Sequence, residues 1–545
     1  MRKKGAIPFL WGILFCAGLL CGCGDKAPEI FSIDPHIGRM GDILTINGNG
    51  FGEKQNESYV TIAGTPPTKS SYLSWNDGEI MVRIPEFGDA GLIYVYRGRK
   101  KSNPALFANQ AAMPQSIQGE DTGITPQIGA IEPSSGPIGS LISIHGSNFG
   151  SSRENSAVCF SWTAESSAAA PAGIQPPDFV ETFDAEFGYE FWSEREIRVR
   201  VPDGAISGNL EVRTQRGNSR PVFFEITGKP GTKLYRDKRS YTLSYMVDLR
   251  VAKATVPNAL YIWMPQPVVS SSQRNVKLLS RSGDPFVENY RGTSLYQFID
   301  LLPQTNRQIS LSYVADVYAV ETNIKSQIPV KLNAPSPAGT MYTLPNALIP
   351  SDDPGIKSKA AEIAGKERYP YGKAQLIYNW LVSSANIKAA PLSGGALEAL
   401  NEKQADSYRA SLLFCALARA SGIPALPVAG VLINRFRDAT RHYWAEFWLD
   451  GFGWIPLDPA LGAGAAPPDF NLRDDHAKYY FGNLDNQRVA FSRGERFLSQ
   501  MTPRGRVAMR TREYSLQNLW EEAVGGIESY SSLWSDVTIT GMYAQ

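Results

Sequence analysis

The sequence predicts a multidomain protein, with three all-β sandwich domains followed by one α+β domain. Three observations carry this. A glycine-rich segment near the N-terminus recurs about a hundred residues later. Short alternating apolar and polar runs, broken by Gly, Pro and Asn, continue to about residue 325. After about residue 340, apolar residues take helical spacing before strands return. The 545 residues are too many for one core, at about 100–200 residues per domain. With 54 basic and 53 acidic residues the net charge is +1, so no strong field steers the chain to nucleic acid.

The N-terminus comes first. Arg2, Lys3 and Lys4 precede an apolar run from Ala6 to Leu20, short of the ~20 residues a spanning helix needs. The run ends in Leu20-Cys21-Gly22-Cys23, which resembles the bacterial lipobox. That resemblance implies a signal peptide over 1–22 and lipid on Cys23, because cutting before Cys21 would leave bulky Leu20 at the cleavage position. It further implies an exported protein held to a bacterial membrane by its lipid, without a transmembrane helix. The five cysteines are Cys16, Cys21, Cys23, Cys159 and Cys415; three survive cleavage, one of them lipidated, so no disulfide framework is expected.

The repeat follows. Ile33, Pro35, Gly38, Gly41, Ile46, Gly48, Phe51 and Gly52 match Ile131, Pro133, Gly136, Gly139, Ile144, Gly146, Phe149 and Gly150 at an offset of 98. EIMVRIP at 79–85 matches EIRVRVP at 196–202 at an offset of 117, so the second copy carries about 19 extra residues, expected in the Ala/Ser/Pro-rich stretch around 164–177. The pattern resembles the IPT/TIG family of immunoglobulin-like domains, which implies Ig-like sandwiches over 27–109 and 125–228, serving as spacers or binding modules. Residues 233–325 again read as strands, SYTLSYMVDLRV to QISLSYVADVYAV, a third sandwich. It resembles the β domain that often precedes bacterial transglutaminase-like cores.

From 340 to 465 the pattern changes. Leu376, Ile377, Trp380 and Leu381 form one helical stripe, and SYRASLLFCALARASG stops at Gly422 before Pro424. PALPVAGVLI, HYWAEFWL and GWIPLDPA then read as an antiparallel sheet, giving an α+β domain. Residues 466–545 are read as a C-terminal extension of this core, with no nameable chemistry.

Of four histidines, His36, His145, His442 and His476, none has metal-ligand spacing to another His or Cys. No metal or cofactor is expected. His442 opens HYWAEFWLDGFGWIPLDPA. If its turn is a three-residue loop with Gly453 as the bulge, Leu449 faces Gly453 and Asp458 faces Trp444. Asp458 then lies one diagonal step from His442 on the same face, whereas an even loop would separate them. A carboxylate beside an imidazole fixes its tautomer and raises its basicity.

Residues 350–465 resemble the transglutaminase-like, papain-like family: Ala405-Asp406-Ser407, then Leu412, Phe414, Leu417, Ala418, Arg419 and Gly422-Ile423-Pro424-Ala425, then His442, Trp444 and Glu446, then Trp454, Pro456, Asp458 and Pro459. The resemblance implies a triad of nucleophile, His442 and Asp458, with Ser407 where the family has its catalytic Cys. A thiolate at a helix N-terminus beside His is already the nucleophile, while a serine must lose its proton during attack. Cys415 lies eight residues along the same helix, about 12 Å away and about 80° round, and reads as a core residue.

The leading expectation is therefore a lipid-anchored envelope protein whose impaired site binds peptide, protein or cell-wall material. The alternatives are an acyltransferase or amide hydrolase using Ser407, His442 and Asp458, with the Ser407 N–H in its oxyanion hole, and a structural or adhesive surface protein.

Overall fold

The computed structural model describes residues 27–544 apart from 36, 39, 54–57, 86–89, 110–124, 165–177, 184–187, 229–230 and 325–336. The signal segment with Cys23, His36 and most of the expected insertion therefore lie outside the described residues. The chain divides into two compact units, Met1–Asn109 and Gln110–Gln545.

The first unit is a two-sheet sandwich. One sheet runs Glu29–Asp34, Ile43–Asn49, Glu79–Arg83, Tyr72–Trp75; the other holds Ile37–Gly38, Ala105–Asn109, Ala90–Arg97 and Ser58–Ile62. Leu44, Ile46, Val60, Val82 and Phe107 fill the space between. The repeated I-x-G-x-x-F has a steric reason. A Cβ on Gly48 would lie 2.0 Å from the Glu29 carbonyl oxygen and 2.3 Å from the Phe51 ring; on Gly146 it would lie 2.0 Å from that of Gln127 and 2.5 Å from Phe149. Only glycine lets the first strand and the buried ring approach so closely.

The second repeat builds the same sheet from Gln127–Glu132, Leu141–Ser147, Glu196–Arg200 and Tyr189–Trp192. Its facing sheet gains the strand Asp178–Glu181, antiparallel to Ala157–Trp162. The core of this repeat is continuous with that of the regions that follow. Ile142, Phe149 and Val199 belong to one apolar cluster with Tyr235, Tyr318, Trp444, Trp448 and Trp454, drawn from the two following regions. Lys233, whose side chain is 8% exposed, donates to Asp203 Oδ1 (2.6 Å) and to the Trp454 carbonyl (2.6 Å), and Ser271 Oγ donates to Asp203 Oδ2 (2.9 Å). Three regions thus meet on one ammonium group, that of Lys233.

The third β region is built on one 35-residue strand, Gly231–Pro265, which pairs with Asn306–Ile324 and Thr293–Ile299. It also pairs with Glu521–Trp534 and Thr538–Ala544 from the C-terminus. The stretch 466–545 is thus shared, which corrects its reading as a single extension of the core. Arg488–Arg493 joins the core sheet beside Ala425–Ile433, while Arg506–Ala508, Glu521–Trp534 and Thr538–Ala544 complete the β region. Alternation marks these residues as strands; it does not name partners some 270 residues away.

The α+β core packs the helices Pro354–Ala364, Pro370–Ser384, Ala396–Glu402 and Ser407–Ala420 against an antiparallel sheet. Its order is Gly453–Leu457, Ala439–Leu449, Ala425–Ile433, Arg488–Arg493. Asp353 and Asp406 cap the first and last of these helices with their side chains.

Candidate functional site

Ser407 is the first residue of the 14-residue helix Ser407–Ala420. The helix starts there because the Asp406 carboxylate accepts the Arg409 N–H (2.9 Å). Its other oxygen accepts the Leu392 N–H (2.8 Å) and the Arg512 guanidinium (2.5 Å). Ser407 is half-buried. Neither its Oγ nor its N–H makes a hydrogen bond with any described residue.

His442 and Asp458 come from the hairpin. Leu449 pairs with Gly453 and Ala445 with Leu457, so Asp458 follows directly opposite Trp444. His442 Nε2 lies 2.8 Å from Asp458 Oδ2, and both residues are buried. An N–H on Nε2 donated to Asp458 leaves Nδ1 with its lone pair. Asp458 Oδ1 also accepts the Leu461 N–H (3.0 Å), capping a short helix. Burial alone would raise the Asp458 carboxyl, but the His442 imidazole, the Arg488 guanidinium and the Leu461 N–H together hold it below the usual carboxylate range.

Two site features were not legible beforehand. Arg488 donates to Asp458 Oδ2 (3.0 Å) and to Asp485 Oδ2 (2.6 Å), and its guanidinium lies over the Trp444 ring. Asp485 also accepts the Tyr480 hydroxyl (3.0 Å). A charged residue at a buried position of RVAFSR was the only signal. The second is Arg512, which reaches Asp406 across 106 residues. Cys415 is fully buried and burial pushes its thiol up to about 12, as fits a core side chain. His476 Nδ1 bonds the Gly462 carbonyl (2.9 Å), away from the dyad.

The helix and the hairpin meet beside the candidate residues. The Tyr408 and Tyr443 rings contact edge-on with centroids 4.9 Å apart. Tyr443, Ala445 and Phe447 pack with the helix, while Trp444 and Trp448 face the second repeat and the β region. His442 shares the Trp444 face. The structure therefore joins His442 to Asp458, and it makes no hydrogen bond between Ser407 and His442.

A helix led by residue 407, packed on a sheet carrying a buried His–Asp pair, is the architecture of a transglutaminase-like domain. Residues 357–459 match the transglutaminase-like superfamily, and residues 28–107 and 126–164 match the IPT/TIG domain. The chain thus carries a transglutaminase-like domain behind immunoglobulin-like IPT/TIG domains. Among curated relatives, an uncharacterized protein of Haemophilus influenzae is 30% identical, over 26% of this chain and 47% of its own length. A cyclomaltodextrin glucanotransferase of Paenibacillus macerans is 31% identical over 16% of this chain and 12% of its own. The chain spans about half the length of the first and far less of the second. Among solved structures, a candidate cysteine protease from Cytophaga hutchinsonii aligns with a TM-score of 0.35 at 15% identity, covering 58% of this chain and 92% of that one.

Proposed function

We propose that this chain is an exported, lipid-anchored envelope protein whose transglutaminase-like domain binds peptide, protein or cell-wall material without turning it over. One observation carries the reading. The His442–Asp458 pair is kept, buried and hydrogen-bonded, while the residue at the nucleophile position is a serine whose Oγ makes no bond to His442. A serine nucleophile depends on a base within hydrogen-bond reach to take its proton, and a thiolate does not. Membrane attachment through Cys23 rests on the Leu-x-Gly-Cys spacing alone.

The test compares wild type, Ser407→Cys and His442→Ala on generic acyl-transfer and peptide substrates. The expected result is no turnover by wild type or His442→Ala, with activity gained in Ser407→Cys. Turnover by wild type that vanishes in His442→Ala would overturn the binding reading in favour of a serine acyltransferase or hydrolase. For the anchor, Cys23→Ala should move the protein from the membrane fraction to the soluble one; unchanged partition would remove the lipid from the account.

A further inference from the structure

Two adjacent residues of the C-terminal segment, Arg512 and Glu513, touch the neighbours on both sides of Ser407 and on both sides of His442. Arg512 donates to the Asp406 carboxylate (2.5 Å) and to the Gly394 carbonyl (2.8 Å). Its guanidinium lies 4.4 Å above the Tyr408 ring. The Glu513 carbonyl accepts the Tyr443 hydroxyl (2.8 Å), and its carboxylate pairs with Arg441 (3.1 Å). So 406 and 408 are held by one residue, and 441 and 443 by the next. Arg512 does this at φ +64, a left-handed conformation that a non-glycine side chain keeps only where surrounding contacts impose it.

We infer that Arg512–Glu513 is a clamp that sets the spacing between the Ser407 turn and His442, with Arg512 as its positioning residue. The pair lies outside the stretch 357–459 that matches the transglutaminase-like superfamily and reaches it from the C-terminal segment. Arginine suits the position because its planar fork reaches a carboxylate, a carbonyl and a ring at once, which a lysine ammonium cannot. The geometric claim holds whether position 407 is a nucleophile or part of a binding surface; only its chemical consequence rests on the reading above.

The test has two arms. In the full chain, segment-resolved hydrogen exchange is compared between wild type, Arg512→Ala and Arg512→Lys. Arg512→Ala should speed exchange at least tenfold both at the helix start around 407–409 and at the strand start around 440–443. The helix end around 417–420 should be unchanged, and Arg512→Lys should fall between. Unchanged exchange in either segment, or a uniform rise through the core, would overturn the clamp. In the second arm the same variants are made with Ser407→Cys, and thiol alkylation is followed against pH. With Arg512 in place, alkylation should persist well below the ordinary thiol range around pH 8.5 and depend on His442; Arg512→Ala should move the profile up by about one pH unit. An ordinary, His442-independent profile with Arg512 in place would sink the reading of a preserved site. The exchange arm would still decide the clamp.

Discussion

The two IPT/TIG repeats share a motif and differ in what it faces. In the first, the turn Met40–Gly41 is bare among the described residues: Met40 is 68% exposed, and a Cβ on Gly41 would meet nothing within 4 Å. In the second, the corresponding turn is Ile138–Gly139. Ile138 is buried and bridges to Gly451 at the tip of the His442 hairpin, and a Cβ on Gly139 would lie 2.7 Å from the Trp448 ring. Both glycines have positive φ, +92° and +86°. The local pattern encodes a sandwich and its turns. Whether a repeat is a separate unit or a wall of the next domain is decided by residues at turn tips and strand faces, which the shared pattern leaves free.

The largest expected effect comes from removing each repeat in turn. Without residues 27–109, the second unit keeps the apolar clusters described within it and should still unfold in a cooperative transition. Without residues 126–226, the apolar faces of Tyr235, Tyr318, Trp448 and Trp454 lose their cover and Lys233 loses Asp203. That fragment should show no cooperative transition and should aggregate. Scanning calorimetry of both fragments decides, and a sharp transition in the second would break the comparison.

A single substitution should reproduce much of that loss. Asp203→Ala strands a buried ammonium that the Trp454 carbonyl alone cannot neutralise. Breaking a buried pair from one side costs about 3–5 kcal/mol. Urea unfolding of the second unit should show it, with the first repeat unaffected as internal reference. A loss below about 1 kcal/mol, the range of an exposed pair, would mean the junction is wetter than it looks.

The pH dependence should separate the units next. Burial pushes the Glu522 carboxyl up to about 7 from 4.5, against the pull of the Met501 and Thr502 N–H groups that it accepts. The folded state therefore binds a proton more tightly than the unfolded one. The stability this gives is fully present below about pH 4.5 and is lost as pH rises through about 7. The second unit should lose about 3 kcal/mol across that window, and Glu522→Gln should flatten the slope. An unchanged slope in that variant would assign the effect to other groups.

How much of this was legible depends on distance along the chain. The helix led by Ser407, the hairpin and its Leu449–Gly453 register are local, and the turn residues give the face that His442 and Asp458 share. The repeat is a direct comparison of two segments. Arg488, Arg512 and Asp203 were not legible, because each reaches a partner 30 or more residues away, and local pattern does not specify such partners. The same limit hid the return of 506–544 to the strand Gly231–Pro265.

The smallest effect is the most direct test of the comparison. Gly41→Ala and Gly139→Ala are the same change at the same place in the same motif. Each puts a side chain on a left-handed backbone, which costs about 1–2 kcal/mol. Only Gly139→Ala also drives a Cβ into the Trp448 ring, and overpacking adds about 1–3 kcal/mol. Exchange under denaturant, read separately in each unit, should therefore give a loss about 1–3 kcal/mol greater at Gly139. The excess should shrink when Trp448 is cut to Leu in the same chain, since the coupled pair then no longer collides. Equal losses at the two glycines would mean that the hairpin yields freely and that the second repeat only leans on the core. A coupled excess would mean that it helps hold the strand carrying His442.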